Sequence, residues 1–410
     1  MNRSLSRAIV PIALLLPALW LPGCGGKDES VITVGVAGPM TGDQSKMGQD
    51  FRNGVELAVE EWNGRGGVLG KKIRIDVNDD QHDPKQAGAV ANNMVNKGVV
   101  GVIGHFNSSC SIPASDIYAK AGVPMITPAS TNPKLTEKEH PTVFRVCGRD
   151  DQQGKVAADF VANVLKSKRV AVLHDKTEYG QGLADEFRKS LGTRAEVTAY
   201  EAVIQGDKDF KAVLTKVKRA DPDLLYFGGV YPEAGLLVRQ ARELGVAAPL
   251  FSGDGTIDTK FIEIAGPAAE GTYLTFSPDP EKVPTAKSFL DAYRRKYGPH
   301  GPYSIYAYDA ANILLAAIRD AGTTDGRAVS KKIRDSSFRG ALGEIAFDPK
   351  GDVRTAPYVV WITRGGKFEE TSDRAGAETF WPWGIAEGDF DADGFVDAYI
   401  PSGMGFPFFY

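Results

Sequence analysis

Cysteine is scarce in this chain of 410 residues: there are three, at Cys24, Cys110 and Cys147. Histidine is scarce too, and His82, His105, His140, His174 and His300 show no metal-ligand spacing. Long apolar runs are missing. The longest, Ala8 to Pro22, is about 15 residues, too short to span a bilayer as a helix, and it follows the basic pair Arg3 and Arg7 in the manner of a processing signal. No charge of one sign dominates. The net charge of −4, near −6 without Arg3 and Arg7, is an ordinary solubility value and argues against a nucleic-acid partner. No serine elbow, cysteine nucleophile, internal repeat, coiled coil or low-complexity tract is found. Several chemistries fail together, so the expectation is that the protein is not an enzyme and requires no cofactor.

Glycine is plentiful, and the richest stretch, Gly64-Arg65-Gly66-Gly67-Val68-Leu69-Gly70-Lys71-Lys72, superficially suggests phosphate binding. A Walker A loop needs glycine at Arg65 and Ser or Thr at Lys72, and a dinucleotide fingerprint needs glycine at Leu69. Both motifs follow a strand, whereas this segment precedes one. It reads as a helix-to-strand turn.

From residue 31 onward, apolar β-branched runs alternate with amphipathic stretches. Val31 to Val36 is a strand, and Phe51, Val55, Ala58 and Trp62 lie at helical spacing in Gly48 to Trp62. The pattern continues with a strand at Ile73 to Val77, a helix at Pro84 to Asn96, a strand at Val99 to Ile103, a helix near Ser111 to Lys120 and a strand at Pro124 to Ile126. It resumes with strands near Val170, Val197, Leu224 and Leu250 and helices at Gln153 to Leu165, Gly182 to Leu191, Phe210 to Lys218 and Pro232 to Leu244. Such alternation means βαβ units and parallel sheets. About 386 residues beyond the processing signal exceed what one core usually organises, and two successive series predict two doubly wound α/β lobes. A Pro-rich joint, Ser277 to Pro284, precedes helices at Ala286 to Tyr297, Ser304 to Ala321 and Arg327 to Asp335. Two late strands, near Ile345 and Val359 to Ile362, are left over; if each completes one lobe, the chain crosses between lobes more than once. Cys110 and Cys147 are left either to pair or to stay as buried thiols.

Ligands of doubly wound sheets sit where strands end and helices begin. The segment Phe106, Asn107, Ser108 and Ser109 places the two serine hydroxyls after one strand, and the segment Ala129, Ser130 and Thr131 places two more after the next. Donors at a helix N-terminus suit a carboxylate, although serine there is also an ordinary N-cap. Asp254, between Gly253 and Gly255, follows a strand of the second series and suits an ammonium group, although a turn aspartate is the plainer reading.

Leu21-Pro22-Gly23-Cys24 resembles the lipobox of bacterial lipoproteins, in which the cysteine is acylated and becomes the N-terminus; the alternative is an ordinary secretory signal. Longer motifs carry a second resemblance. Gly38-Pro-Met-Thr-Gly42, Asp79-Asp80-Gln-His-Asp83-Pro-Lys-Gln-Ala87, Val102-Ile-Gly-His105, Met125-Ile-Thr-Pro-Ala129, His174-Asp-Lys-Thr-Glu-Tyr179 and Tyr226-Phe-Gly-Gly-Val-Tyr-Pro232-Glu233 resemble those of the leucine/isoleucine/valine-binding proteins over about residues 31 to 365. The resemblance implies a type I periplasmic-binding-protein fold, two Rossmann-like lobes joined by a three-crossover hinge that close around a ligand. Its divisions would be a signal over 1–24, a first lobe of 25–149 plus 279–356, a second of 150–278 plus 357–379, and an extension over 380–410.

By the same resemblance, Ser108 and Thr131 with the backbone near Ala129 hold the ligand carboxylate. The Ala129 carbonyl and Asp254 hold its ammonium, and Tyr179 closes from the second lobe. Asp254 stands where the family usually has glutamate. Met47 and Val230 stand where it often has tyrosines, and Phe106 and Tyr303 match pocket positions. The family's first-lobe disulfide is missing, since His82 and Asn107 occupy its positions. The implied function is capture of an amino acid, aliphatic or aromatic, outside the cytoplasm for the permease of an ABC importer, with a sensor of an amide, urea or aromatic acid as the alternative. Asp389, Asp391, Asp393 and Asp397 form a D-x-D-x-D-G-x-x-D run that suits calcium, or is a solvated acidic turn. It lies in an aromatic C-terminal stretch that the family does not share.

Overall fold

The computed structural model describes residues 30–371 and, further on, the strands Ala386–Gly388, Asp397–Pro401 and Pro407–Phe409, which pair antiparallel with one another. Cys24, Asp389, Asp391 and Asp393 lie outside the described residues, as does the side chain of Asp397.

The first half alternates strand and helix: β1 (Val31–Gly38), α1 (Ser45–Gly64), β2 (Lys72–Asp79), α2 (Pro84–Lys97), β3 (Val102–Gly104), α3 (Ser108–Ala121), β4 (Met125–Thr127), α4 (Lys134–Glu137) and β5 (Val143–Arg145). The five strands form one parallel sheet in the order β2-β1-β3-β4-β5. The predicted stripe of α1 is buried at Phe51, Val55, Ala58 and Trp62, with Met47 added. Pro84 opens α2 behind the Asp83 cap, and Gly98, with φ of 72°, closes it, the asymmetry expected of helix ends.

After α5 (Asp150–Asp159) and a π-helical turn (Phe160–Leu165), the second series runs β6 (Arg169–His174), α6 (Glu178–Leu191), β7 (Glu196–Ala202), α7 (Lys211–Arg219), β8 (Leu224–Gly228), α8 (Tyr231–Glu243), β9 (Leu250–Ser252), α9 (Thr259–Ala265) and β10 (Tyr273–Phe276). The chain then returns to the first sheet with α10 (Lys287–Tyr297), α11 (Ser304–Ala321) and α12 (Gly326–Asp335). Gly54 of α1 lets α11 approach, for a Cβ there would lie 2.1 Å from the Ser304 carbonyl. A hairpin of β11 (Ser337–Gly340) and β12 (Gly343–Ala346) precedes β13 (Val359–Arg364) and β14 (Lys367–Glu370). The last two strands join the second sheet antiparallel, giving the order β14-β13-β10-β9-β8-β6-β7.

The chain thus passes between the sheets three times, near 146–149, 277–286 and 353–358. One expectation fails in detail. The strand at Ile345 does not extend the first sheet, because its edge pairs with β11; Asp352, a few residues on, makes a single parallel bridge to Arg145 instead. The predicted helix to Leu165 leaves the α-form after Asp159. Cys110 and Cys147 are both free and buried, which settles the pairing in favour of separate thiols.

That bridge sits beside the first lobe's main internal charge cluster. Arg145 is fully buried; its guanidinium donates to Asp352 at 2.6 and 2.8 Å, to Thr136 Oγ1 at 2.6 Å and to the Ser130 and Asn132 carbonyls at 3.0 and 2.9 Å. Arg149 reaches the other Asp352 oxygen at 2.7 Å. Burial works against the Asp352 charge, yet the two guanidinium groups hold its carboxyl below the usual range. Removing one partner of such a pair strands the other, at a cost of about 3–5 kcal/mol. Asp352→Ala should therefore lower stability by that amount in urea unfolding followed by tryptophan fluorescence; a loss below about 1 kcal/mol would show the pair to be dispensable.

Candidate functional site

The C-terminal ends of β1, β3 and β4 in one sheet face those of β6, β8 and β9 in the other, the place where such sheets bind ligands. The turn after β9 carries Asp254, which is 3% exposed. Its Oδ1 accepts from the Tyr179 hydroxyl at 2.8 Å and from Gln153 Nε2 at 2.9 Å; its Oδ2 accepts from the Tyr303 hydroxyl at 2.5 Å. Tyr179 in turn accepts from the Gly255 N–H at 2.8 Å. Both flanking glycines are required sterically, since a Cβ at Gly253 would lie 2.3 Å from Leu183 and one at Gly255 2.8 Å from the Tyr179 ring. Burial raises the Asp254 pKa, against the pull of its three donors.

Opposite stands the start of α3. His105, buried between Asp80 at 2.7 Å and the Tyr118 hydroxyl at 3.1 Å, anchors the loop that leads into it. Ser108 is buried and accepts from the Asn132 N–H at 3.3 Å, which leaves its own proton to give. Ala129 lies two residues beyond β4, with its N–H on Thr127 Oγ1 at 3.3 Å. Thr131 is fully buried, and its hydroxyl has no well-formed hydrogen bond. Ser130 is different. Its hydroxyl is committed to the Phe106 carbonyl at 2.9 Å and to Ser111 at 2.6 Å, so only its backbone is free to serve a ligand.

Met47, Phe106 and Tyr303 belong to one buried apolar cluster, and Phe106 meets Tyr303 edge to face at 5.0 Å. Val230, just before α8, shares a second cluster with Tyr179. Tyr303 is more than the apolar wall read from the sequence, because its hydroxyl comes from the first lobe to grip Asp254 of the second.

Two groups were missed. Asp150, at the start of α5, donates its N–H to the Thr131 carbonyl at 2.9 Å, and its buried carboxylate lies beside the Thr131 hydroxyl without a well-formed hydrogen bond. Burial, followed by the nearby Asp254 charge, pushes its pKa well above the ordinary value. Gln153 follows one turn later and reaches Asp254. In sequence, Asp150-Asp151-Gln152-Gln153 reads as an acidic first turn of a helix, a common feature with a plain electrostatic cause; only its place directly after a crossing between lobes signals more.

The second group ties the lobes together. Gln44 lies between His82 and Asn107: its Nε2 contacts His82 Nδ1, and its Oε1 accepts from Asn107 Nδ2 at 2.9 Å. Gln205 of the second lobe also reaches His82 Nδ1, at 2.9 Å. Asn132 donates across the cleft to the Glu178 carbonyl at 2.5 Å, and exposed pairs join Lys134 to Glu178 and Lys208 to Asp43. The lobes are closed on each other. Among the described residues no group of three or more His, Cys, Asp or Glu side chains is placed to hold a metal ion, and no helix is long and apolar enough to cross a membrane.

Residues 31–367 match the family described as periplasmic binding protein. A Leu/Ile/Val-binding protein homolog 2 of Brucella abortus is 45% identical over 351 residues, covering 85% of this chain and 94% of the relative. A leucine-, isoleucine-, valine-, threonine- and alanine-binding protein of Pseudomonas aeruginosa is 40% identical, covering 80% and 89%. Among solved structures, the leucine-binding protein LivK of Thermotoga maritima superposes with a TM-score of 0.77 at 34% identity, covering 83% of this chain and 97% of that one. LivJ of Streptococcus pneumoniae, a branched-chain amino acid transporter substrate-binding protein in complex with isoleucine, gives 0.77 at 32% identity, covering 83% and 98%. The fold is the type I periplasmic-binding-protein fold.

Burial lowers the His82 pKa from its ordinary 6.5 to about 4, against the opposing pull of Asp80 and Asp83. A buried neutral imidazole favours the folded chain above pH 6.5 and penalises it as the pH falls toward 4. Between pH 7 and pH 4.5 the parent protein should therefore lose about 2 kcal/mol more stability than His82→Gln, read from urea midpoints. Parallel pH profiles would mean that the ring is hydrated in solution.

Proposed function

The chain belongs to the periplasmic binding protein family, and we propose that it is the solute-binding component of an ABC importer, holding a branched-chain or similar amino acid between its two lobes. It works outside the cytoplasm and binds rather than transforms its ligand. The observation that carries this reading is the opposition of two ends across a closed cleft. One end is a buried acid, Asp254, held by Tyr179, Gln153 and Tyr303; the other is the α3 start with Ser108 and the buried Thr131 hydroxyl. An acid facing a helix N-terminus suits a zwitterion, whose carboxylate gains N–H bonds and the helix dipole while its ammonium faces the carboxylate. Met47 and Phe106, buried and apolar, favour an aliphatic side chain, in keeping with the ligands named for the relatives.

Mechanism follows from the division of donors. Ser108, Ala129, Thr131 and Tyr303 stand on the first lobe, and Asp254, Tyr179 and Gln153 on the second. A ligand that bridges them interacts with the closed form alone and shifts the population toward it. Membrane permease subunits then receive the closed form. The Leu21 to Cys24 segment supports anchoring through acylated Cys24, since two or three chains hold a protein durably at a bilayer.

Calorimetry with leucine, isoleucine and valine should give saturable binding; no heat from any α-amino acid would end this reading. Asp254→Ala should weaken binding by about 30-fold or more, the cost of leaving an ammonium unpaired in a buried site. Cys24→Ala should move the protein from the membrane to the soluble fraction on centrifugation of expressing cells, and an unchanged distribution would rule out the lipid anchor.

A further inference from the structure

We propose that Tyr231 and Gln205 form a latch at the cleft edge furthest from the crossings, and that it sets how long any ligand is held. The proposal rests on the amino-acid reading of the cleft but concerns residues outside the ligand site. The strand orders place the latch. In the first sheet, the first and third crossings leave from β5 and from Asp352, which bridges to β5. In the second sheet, the second and third crossings join β10 and β13, on the β14 side. The opposite edges are β2 and β7. The turns after β1 and β2 carry Asp43, Gln44 and His82, and those after β7 and β8 carry Gln205, Lys208 and Tyr231. Contacts there move furthest when the lobes swing about the crossings.

Across this edge the Tyr231 hydroxyl donates to the Asp43 carbonyl, and Gln205 Nε2 lies 2.9 Å from His82 Nδ1. Tyr231 and His82 are 2% and 8% exposed, so both contacts are shielded from water. Two ion pairs also cross, and magnitude sets them aside. Lys208 and Asp43, 2.5 Å apart, are both exposed, and such pairs contribute little. Lys46 stands 3.7 Å from Asp258 but already pairs with Asp50 of its own lobe at 2.6 Å. The loop that carries Gln205 is braced from behind by α8. Glu233 accepts the Gly206 N–H at 2.8 Å; Gln240 accepts the Phe210 N–H at 2.7 Å and donates to the Lys208 carbonyl at 2.8 Å. The second lobe thus fixes the loop's shape, while Gln205 itself is spent on the first lobe. In the open form the Tyr231 hydroxyl and the Gln205 amide bond to water, so removing either costs the closed form alone. The latch prolongs closure over every ligand alike, whereas a pocket residue favours one side chain over another.

The test measures leucine, isoleucine and valine on the full chain by calorimetry and stopped-flow fluorescence. Tyr231→Phe should weaken all three about two- to tenfold, and Gln205→Ala should do the same. The loss should appear as faster release with unchanged association, and preference among the three should hold within about twofold. Urea midpoints of the ligand-free variants should stay at the parent value. Unchanged affinity in either variant would overturn the latch. So would a shifted preference, which puts the residues in the pocket, or a lower ligand-free midpoint, which makes them supports of the second lobe. A parent protein that binds none of the three would instead overturn the amino-acid reading, and the latch with it.

Discussion

A carboxylate taken out of water must find donors or a cation, and the closed form of this molecule is arranged around that demand at Asp254. Its donors come from three separate elements: Gln153 from the first helix after a crossing, Tyr179 from α6, and Tyr303 from the first lobe. Hydrogen bonds to a charge are about twice as strong as neutral ones, and one of these three, from Tyr303, crosses between the lobes. Tyr303 can contribute its bond only when the lobes meet. Opening therefore removes a donor from Asp254 while restoring water to it. Gly253 and Gly255 follow from the same demand, since any side chain there would displace the tyrosine and the glutamine.

The Arg145 cluster meets the identical demand in the opposite way. Asp352 receives two guanidinium groups and a hydroxyl, all within the first lobe, and nothing in the cluster is left to offer. Saturation makes it a fixed part of the scaffold. Asp150 lies nearby without such a salt bridge, with the Thr131 hydroxyl beside it. Burial alone does not distinguish them, because both are removed from water.

Much of the fold was legible because period and caps are local properties. Phe51, Val55, Ala58 and Trp62 declare a helix face wherever the rest of the chain goes, and Gly66 and Gly67 form the turn that their position before a strand implied. Strand ends also pointed to Ser108, Thr131 and Asp254. What was hidden depends on partners distant in sequence. Ser130 reads like its neighbours until Ser111 and the Phe106 carbonyl claim its hydroxyl. Tyr303 reads as an apolar wall until Asp254 arrives 49 residues away in the chain. Ile345 reads as a sheet strand, but Phe338 pairs with it first. Asp150 reads as a helix-start acid until Thr131, from the loop after β4, meets its N–H and its carboxylate.

The same logic bears on how the two lobes are held in register. At His82 and Asn107, where the resemblance led one to look for a disulfide, Gln44 joins the two side chains through its amide. A disulfide would fix the first lobe independently of closure. In the closed form Gln44 and Gln205 of the second lobe both approach the one ring nitrogen, His82 Nδ1. Internal stapling of one lobe and contact with the other thus converge on one neutral ring, held neutral by burial. A covalent link has no such second use. Its replacement makes the loop before α3 mechanically continuous with the second lobe, so that closing the cleft and setting the start of α3 are one event.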